Sequence, residues 1–573
     1  MKLEAPASRS ALPDSRGLNL YAADPSCKAL LALYLPADLH AHLQPHFERL
    51  GLLAGAELDA LAHTADVNPP MLRHRTRSGE DRQWIEKHPA YRQLETIAFA
   101  DYGLAAMSHR AGVLGWPQRM PPAVKYALTY LYVQAEFGVC CPLSMTDSLT
   151  RTLSKYGDPE LIERLLPALT SQDMDRLAQG AMFMTEQGAG SDVGATETRA
   201  VNEDGRWRLY GDKWFCSNAD ATLAMVLARP EGAPPGTKGL SLFLMPRVLD
   251  DGTPNGFRIV RLKDKLGTRD MPSGEIRLEG AFAWLVGHPG RGFVQMTDMI
   301  NNSRLSNGMR AAGMMRRALT EALFVARRRV AFGKRLIDLP LMRRQLLKLM
   351  LPAEAARSMM LFTATQLEKA DAGDDAARRR TRLLTPLIKF RACRDARRAT
   401  GDAMEVRGGV GYIEEWSVAH LGSIWEGTSN IVALDAMRAI RREDSLAALR
   451  PELETMLPEG PLGEDLRVSL DRACAFAARV AERNETLYAR QAASGLYYTV
   501  AATVLAHEGT RLAAQGDARR LLLAALVDVH RLRAWDPFAP GDASRETGFA
   551  DLLLPETPVA LEAARVLLAS GAH

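Results

Sequence analysis

Apolar residues recur at three- and four-residue spacing over long stretches at both ends of the chain, with short extended runs between them. From about Leu30 to Leu166 the spacing is helical, as in Ala123 to Phe137 and Leu161 to Leu169. The texture then changes. Trp207 to Tyr210, Thr222 to Ala228, Leu240 to Met245 and Ile276 to Leu278 read as short strands, separated by loops such as Ala233-Pro234-Pro235-Gly236. Helical periodicity returns after Gly292, where Leu319, Leu323, Ala326 and Val330 form a stripe beside a polar face of Arg316, Arg317, Arg327 and Arg328. A break at Leu457-Pro458-Glu459-Gly460-Pro461-Leu462-Gly463 reads as a linker to further helices. The pattern predicts an α+β, mostly α, chain of four units: an N-terminal helical domain over 1–180, a middle β domain over 181–290, a helical bundle over 291–448 and a C-terminal helical extension over 449–573.

Length and composition support several cores. The chain has 573 residues, 47% of them hydrophobic and 6% aromatic. Its 72 basic and 68 acidic residues leave a net charge of +4, too even to require nucleic acid or an anionic membrane as partner. Cys27, Cys140, Cys141, Cys216, Cys393 and Cys474 show no paired spacing, so neither a metal site nor a disulfide framework is expected. Met1 to Pro13 lacks the apolar core of a signal peptide, and no run is long enough to span a bilayer. These features predict a cytoplasmic protein that does not use the membrane.

Candidate chemistry begins at Ile424-Trp425-Glu426-Gly427-Thr428-Ser429-Asn430. A carboxylate beside an indole is poorly solvated, so its pKa should rise toward the range of a working base. Taken alone, such a glutamate is ordinarily a solvated turn residue. Four other strings change its standing. Met184-Thr185-Glu186-Gln187-Gly188-Ala189-Gly190-Ser191-Asp192 is a Gly-rich loop whose N–H groups and hydroxyls could meet a ring edge or a phosphate. Gly211-Asp212-Lys213-Trp214-Phe215-Cys216-Ser217-Asn218 reads as a strand on which Phe215 could cover an aromatic ring and Ser217 bond its edge, or which could simply face the core. Arg329-Val330-Ala331-Phe332-Gly333-Lys334 closes a helix with basic residues, and Glu405-Val406-Arg407-Gly408-Gly409-Val410-Gly411-Tyr412 either cradles a ligand or ends a helix.

In this order the five strings resemble the acyl-CoA dehydrogenase family of flavoproteins over roughly residues 90 to 440. Asn19-Leu20-Tyr21, Val67-Asn68-Pro69-Pro70, Cys141-Pro142-Leu143-Ser144-Met145-Thr146 and the C-terminal extension resemble the branch linked to the bacterial adaptive response to alkylation. The resemblance implies FAD as cofactor. Thr185 and Ser217 would contact its isoalloxazine, with Ser217 near N5, Phe215 packing on the ring and Ser191 at the pyrophosphate. Met182, Met184, Cys216, Thr428 and Asn430 are implied as further cofactor contacts. Arg329 and the Glu405, Gly408 and Gly409 segment would reach FAD from a neighbouring subunit, which implies a dimer or a dimer of dimers.

By the same resemblance Glu426 is the catalytic base and Arg304 the arginine kept beside it. One branch of the family carries its base on the helix next to that arginine. Here the position is Ser303, which leaves Glu426. The implied reaction is α,β-dehydrogenation of an acyl-CoA, short or branched by the branch resemblance, with an electron acceptor such as an electron-transfer flavoprotein.

Three departures matter. Glu405 stands where many relatives have Gln, and a carboxylate cannot donate as an amide does. Ala331 replaces a hydroxyl that relatives often have near the adenine. Gly408 and Glu426 lie only 18 positions apart, several fewer than in relatives, and roughly six residues of helix would span about 9 Å. The alternative function is a double-stranded-DNA-binding flavoprotein of the alkylation response with secondary dehydrogenase activity. Against it, Arg441 to His573 holds 15 Arg and no Lys against 19 acidic residues. Clusters such as Arg511, Arg519, Arg520, Arg531 and Arg533 read as a solvated, salt-bridged face, whereas Arg378, Arg379, Arg380 and Arg382 with Lys389, Arg391, Arg394, Arg397 and Arg398 form the richer cationic stretch.

Overall fold

The computed structural model describes residues 13–412, 426–534, 536, 538 and 542–569. The N-terminal region comprises α1 (Pro25–Tyr34), α2 (Ala37–Gly55), α3 (Glu57–Val67), a hairpin of β1 (Met71–Arg73) and β2 (Trp84–Glu86), then α4 (Pro89–Glu95), α5 (Pro122–Tyr132), α6 (Cys140–Tyr156) and α7 (Pro159–Leu169). Local chemistry sets its boundaries. Asp24 caps α1 by accepting from the Cys27 N–H, and prolines open α1, α5 and α7, where a missing N–H costs nothing.

The middle region is a small barrel of β3 (Gly180–Phe183), β4 (Arg199–Glu203), β5 (Arg206–Ser217), β6 (Leu223–Pro230), β7 (Ser241–Pro246), β8 (Phe257–Leu262) and β9 (Ser273–Val286). Strands β6, β4, β5, β9 and β7 pair in a closed circuit, with β3 added parallel to β6 and β8 antiparallel to β9. Closure leaves no free edge within that circuit. The barrel interior is small and apolar, with Ala181, Phe183, Leu209, Val226, Phe243 and Ile276 among its buried residues.

The chain then builds α8 (Gly292–Arg328), a two-residue hairpin of β10 (Val330–Ala331) and β11 (Lys334–Arg335), α9 (Pro340–Asp371), α10 (Asp375–Arg407) and α11 (Ser429–Glu443). Val330 does not continue the α8 stripe; the helix ends at Arg328, and Val330 is 63% exposed on the hairpin. Arg316, expected on the polar face, is 1% exposed. Its guanidinium bonds Asp24 at 3.2 Å and Glu556 at 2.6 Å, so paired charge from other elements makes its burial tolerable.

Beyond the bundle lie α12 (Ser445–Thr455), α13 (Pro461–Glu482), α14 (Ala489–Ala513), α15 (Arg519–Val527), α16 (Ala543–Leu553) and α17 (Leu561–Ala569). They are not a detached appendage. The buried residues of α14 and α15 belong to the same apolar core as α8, α9 and α10. Arg519 and Arg520, read from sequence as solvated, are 2% and 1% exposed: Glu354 and Glu508 take up Arg520, and Arg519 donates to the Leu553 carbonyl at 3.4 Å. No described helix is long and apolar enough to cross a membrane, and all six cysteines are buried and unpaired.

Candidate active site

Glu426 sits in the turn that precedes α11. Its backbone is left-handed, φ +57°, and Gly427 follows at +105°. The residue as a whole is half-buried, yet its Oε2 is sealed from solvent and has no hydrogen-bond partner among the described residues. Burial pushes its pKa up, and Ser303, Arg310, Lys389 and Arg304 partly offset that rise. The Ser303 hydroxyl lies near the carboxyl without making a full hydrogen bond to it, since Ser303 Oγ is itself without a partner among the described residues. A buried acceptor oxygen with a raised pKa and no partner is the chemistry of a candidate base.

The turn is held from two helices. Arg304 on α8 donates from Nε to the Glu426 carbonyl at 3.3 Å, and its terminal nitrogen meets Asp435 Oδ2 at 2.6 Å. Asp435 on α11 is held in turn by a two-pronged bond from Arg382, at 3.0 and 2.8 Å. Lys389 on α10 donates to the Gly427 carbonyl. Ile424 and Trp425, with most of the shortened stretch between Gly408 and Glu426, lie outside the described residues.

On the barrel side, β5 carries a bulge between Lys213 and Cys216 in its pairing with β9. The bulge decides which side chains face out. Leu209, Lys213 and Cys216 are buried, a three-residue step that breaks strict alternation, so Phe215 turns outward and is 58% exposed. Without that extra residue Phe215 would share the inward phase of Lys213. Ser217 ends the strand half-buried, 3.5 Å from the Ser273 hydroxyl.

Lys213 pins the Gly-rich loop from beneath. Its ammonium, inside the barrel, donates to Glu186 Oε1 at 2.7 Å and to the carbonyl of Leu227 at 2.8 Å. Glu186 also accepts from the Glu197 and Thr198 N–H groups and the Thr198 hydroxyl; burial raises its pKa, but the Lys213 ammonium first, and these hydrogen bonds after it, hold it below the ordinary value. Thr185, Met184 and Met182 line the half-buried surface beside this anchor, and Ser191 is exposed on the loop.

The two halves meet at Cys141, near the start of α6. Its thiol interacts with Ser217 of β5 and lies within electrostatic reach of Glu426, Arg310 and Lys265, while burial raises its pKa. Lys265 in the loop before β9 donates to the Met271 carbonyl and to the Ser273 hydroxyl at 3.1 Å, and burial pulls its pKa down to about 8. Sequence reasoning did not place Cys141, Lys265 or Lys389 near the carboxylate. They come from three separate regions; Cys141 and Lys389 stood in strings singled out for other reasons, and Lys265 in none.

The structure therefore brings Glu426, Arg304 and Ser303 into one neighbourhood with Ser217, whereas Arg329 and the 405–409 segment form a second group. Arg329 donates to the Arg407 carbonyl at 2.9 Å and lies beside Gly408; Glu405, Gly408 and Gly409 are exposed. Arg304 and Arg329 are 25 residues apart along α8, about 37 Å of helix. Thr428 and Asn430 are exposed at the start of α11. The described residues hold no cluster suited to a metal ion.

The barrel face fits a flavin. An uncovered phenyl ring, a hydroxyl two residues on and a Gly-rich loop with no atom in the way at Gly188 make a flat surface with polar edges. Models of three domains match the chain: the AidB N-terminal domain over residues 11–176, the acyl-CoA dehydrogenase middle domain over 181–281 and the acyl-CoA dehydrogenase C-terminal domain over 290–440. The chain is 34% identical to the putative acyl-CoA dehydrogenase AidB of Escherichia coli, over 70% of this chain and 74% of that one. It is 31% identical to acyl-CoA dehydrogenase family member 11 of Caenorhabditis elegans, over 77% and 73%. The crystal structure of C. elegans ACDH-11 in complex with C11-CoA superposes with a TM-score of 0.84 at 25% identity, over 93% of this chain and 94% of that one. The chain belongs to the acyl-CoA dehydrogenase family, with an N-terminal domain of the AidB kind, and its cofactor is FAD.

Proposed function

We propose that the protein is an acyl-CoA dehydrogenase that removes the α-proton and β-hydride of an acyl-CoA, with Glu426 as its base. The observation that carries this reading is the sealed, unpartnered Glu426 Oε2, joined through Cys141 to the barrel face that suits a flavin. Glu426 takes the α-proton at Oε2. Its raised pKa narrows the gap between carboxylic acid and thioester α-carbon, which makes the transfer less uphill. Cations at Arg304, Arg310 and Lys389 keep enough of it ionised to act. FAD, when bound, supplies the acceptor for the β-hydride. Phe215, Ser217 and Thr185 orient that ring, and the half-buried wall of Met182 and Met184, with Cys216 turned inward beside them, limits water.

In this reading Arg329, Glu405, Gly408 and Gly409 complete the cofactor site of a neighbouring copy, because about 37 Å of helix separates Arg329 from Arg304. Ser191, Thr428 and Asn430 offer hydroxyls and an amide to the cofactor's polar parts. Reoxidation is assigned to an electron-transfer flavoprotein or a similar acceptor, and the working form to a dimer of dimers in the cytoplasm. Purified protein loaded with FAD should bleach its flavin band anaerobically with at least one acyl-CoA from butyryl- and isobutyryl-CoA to undecanoyl-CoA; the short and branched members are expected to react best. Glu426→Gln should keep the flavin spectrum and lose bleaching by at least about 10³-fold, the order of effect expected for a lost general base with its positioning. Full bleaching by the Gln variant would sink the assignment.

Duplex DNA as the main ligand has less support. The cations that would face phosphate are engaged within the chain: Arg378 with Asp375, Arg382 with Asp435, Arg391 with Asp395, Arg520 with Glu354 and Arg533 with Asp465. A gel shift of a 30-bp duplex in low salt, abolished by about 0.2 M salt, would restore that alternative.

A further inference from the structure

We propose that Lys389 is a positioning residue for the Glu426 carboxylate, forming with Arg304 a two-cation clamp on consecutive carbonyls of the turn that presents the base. The inference rests on Glu426 being the base, and it explains why a lysine stands where packing alone would favour an apolar side chain. Lys389 is 1% exposed, in the middle of α10, and among the described residues no carboxylate lies within ion-pair distance of its ammonium. Its hydrogen bond goes to the Gly427 carbonyl, while Arg304 from α8 takes the Glu426 carbonyl. Burying an ammonium against a carbonyl alone is unfavourable, so the contact has to return something to the protein that an apolar residue would not.

What it returns is the shape of the turn. Glu426 and Gly427 both have positive φ, a conformation that is disfavoured for a residue with a Cβ. Relaxation of Glu426 to negative φ would swing its Cα–Cβ bond and carry Oε2 away from Ser303. Both carbonyls of the strained pair are gripped, from different helices, and Asp435 with Arg382 fixes the Arg304 half. Among the described residues the Lys389 half has no such support. It depends on the ammonium itself.

The clamp also acts through charge. The groups that face Lys389 are Cys393 from its own helix, Glu426 from the turn and Arg304 from α8; burial is the largest influence, and its pKa falls to about 8. Lys389 is therefore a cation at neutral pH and loses its charge just above. As a cation it lowers the pKa of Glu426, so its removal raises that pKa further.

The test uses the full-length, FAD-loaded protein and its Lys389→Met, Lys389→Gln and Lys389→Arg variants, with three readouts: backbone amide exchange by mass spectrometry, thermal midpoint and, where an acyl-CoA bleaches the wild type, the pH profile of that rate. In Lys389→Met, exchange over residues 427–432 should rise at least about tenfold with the rest of the bundle unchanged. Bleaching should slow by about 10- to 100-fold, the order expected when a reacting group is displaced by a fraction of an ångström to 1 Å, and the acid limb should move to higher pH. Lys389→Arg should protect the turn and hold its rate above pH 8, where the wild type declines. Lys389→Gln should move the acid limb as Met does. Unchanged exchange in Lys389→Met, or an unmoved acid limb in Lys389→Gln, would overturn the clamp. If Lys389→Met does not fold, the Gln and Arg variants decide by the same readings. If wild type bleaches with no acyl-CoA, the dehydrogenase reading fails, and the exchange data alone still judge the clamp.

Discussion

At Glu426 the backbone and the side chain are both out of their ordinary states: the backbone is left-handed and the carboxyl is dry. Each costs stability, and the costs sit together because one geometry serves one task. A carboxyl whose folded pKa exceeds its unfolded value binds more protons folded than unfolded, so stability falls as pH rises from about 4.5 to that raised pKa. The loss is about 1.4 kcal/mol for each unit of rise. Glu426→Gln removes it. Its urea midpoint should therefore exceed wild type by more at pH 8 than at pH 4.5, and an equal difference at both would show that the carboxyl is not perturbed by folding. The sequence pointed to Glu426 because the ordered motifs resemble a family that carries its base there and because Ser303 cannot act as one; the adjoining indole alone would not have done so. Lys389, Lys265 and Cys141 were not legible as neighbours of that carboxyl, since residues on separate elements, 37 to 285 positions away, have no local pattern in common with it.

Among the elements, β5 shows where periodicity misleads. Alternation places Phe215 and Lys213 on one face, and the bulge places one outside the barrel and the other within. A bulge depends on how two strands register, so it leaves little trace in either strand alone. Lys213 and Glu186 then form an ion pair with the lysine side chain fully enclosed. Breaking such a pair leaves a buried charge without its partner, so Lys213→Met should cost about 3–5 kcal/mol in chemical denaturation. It should also loosen the Gly-rich loop and weaken FAD retention. A variant with wild-type stability would show that the pair is dispensable. The helices were easier to foresee: α5 and α7 follow apolar spacing and begin at prolines, signals contained in a dozen residues. Helix α8 was foreseen as well, but not that Arg316, placed on its polar face, is buried.

Across the whole molecule, one charge cluster ties N-terminus, bundle and extension together. Arg520 of α15 bonds Glu354 of α9 and Glu508 of α14, each at 2.8 Å, and reaches Ser26 of α1 at 3.0 Å. Nearby, Arg316 and Arg357 both meet Asp24. Arg520→Ala should therefore destabilise the bundle and extension as one cooperative unit, by about 3–5 kcal/mol, and a scanning calorimetry trace with a separate early transition for the extension would contradict that coupling. The sequence by itself determined the order of units and the family, and it singled out the glutamate proposed as base, because helical spacing, strand spacing and ordered motifs are local. Tertiary structure alone decided that Phe215 faces outward, that Arg519 and Arg520 of the tail are buried, and that two cations grip the turn carrying Glu426. Each of those outcomes depends on which distant groups share a space, and burial and ion pairing are set by that proximity rather than by position along the chain.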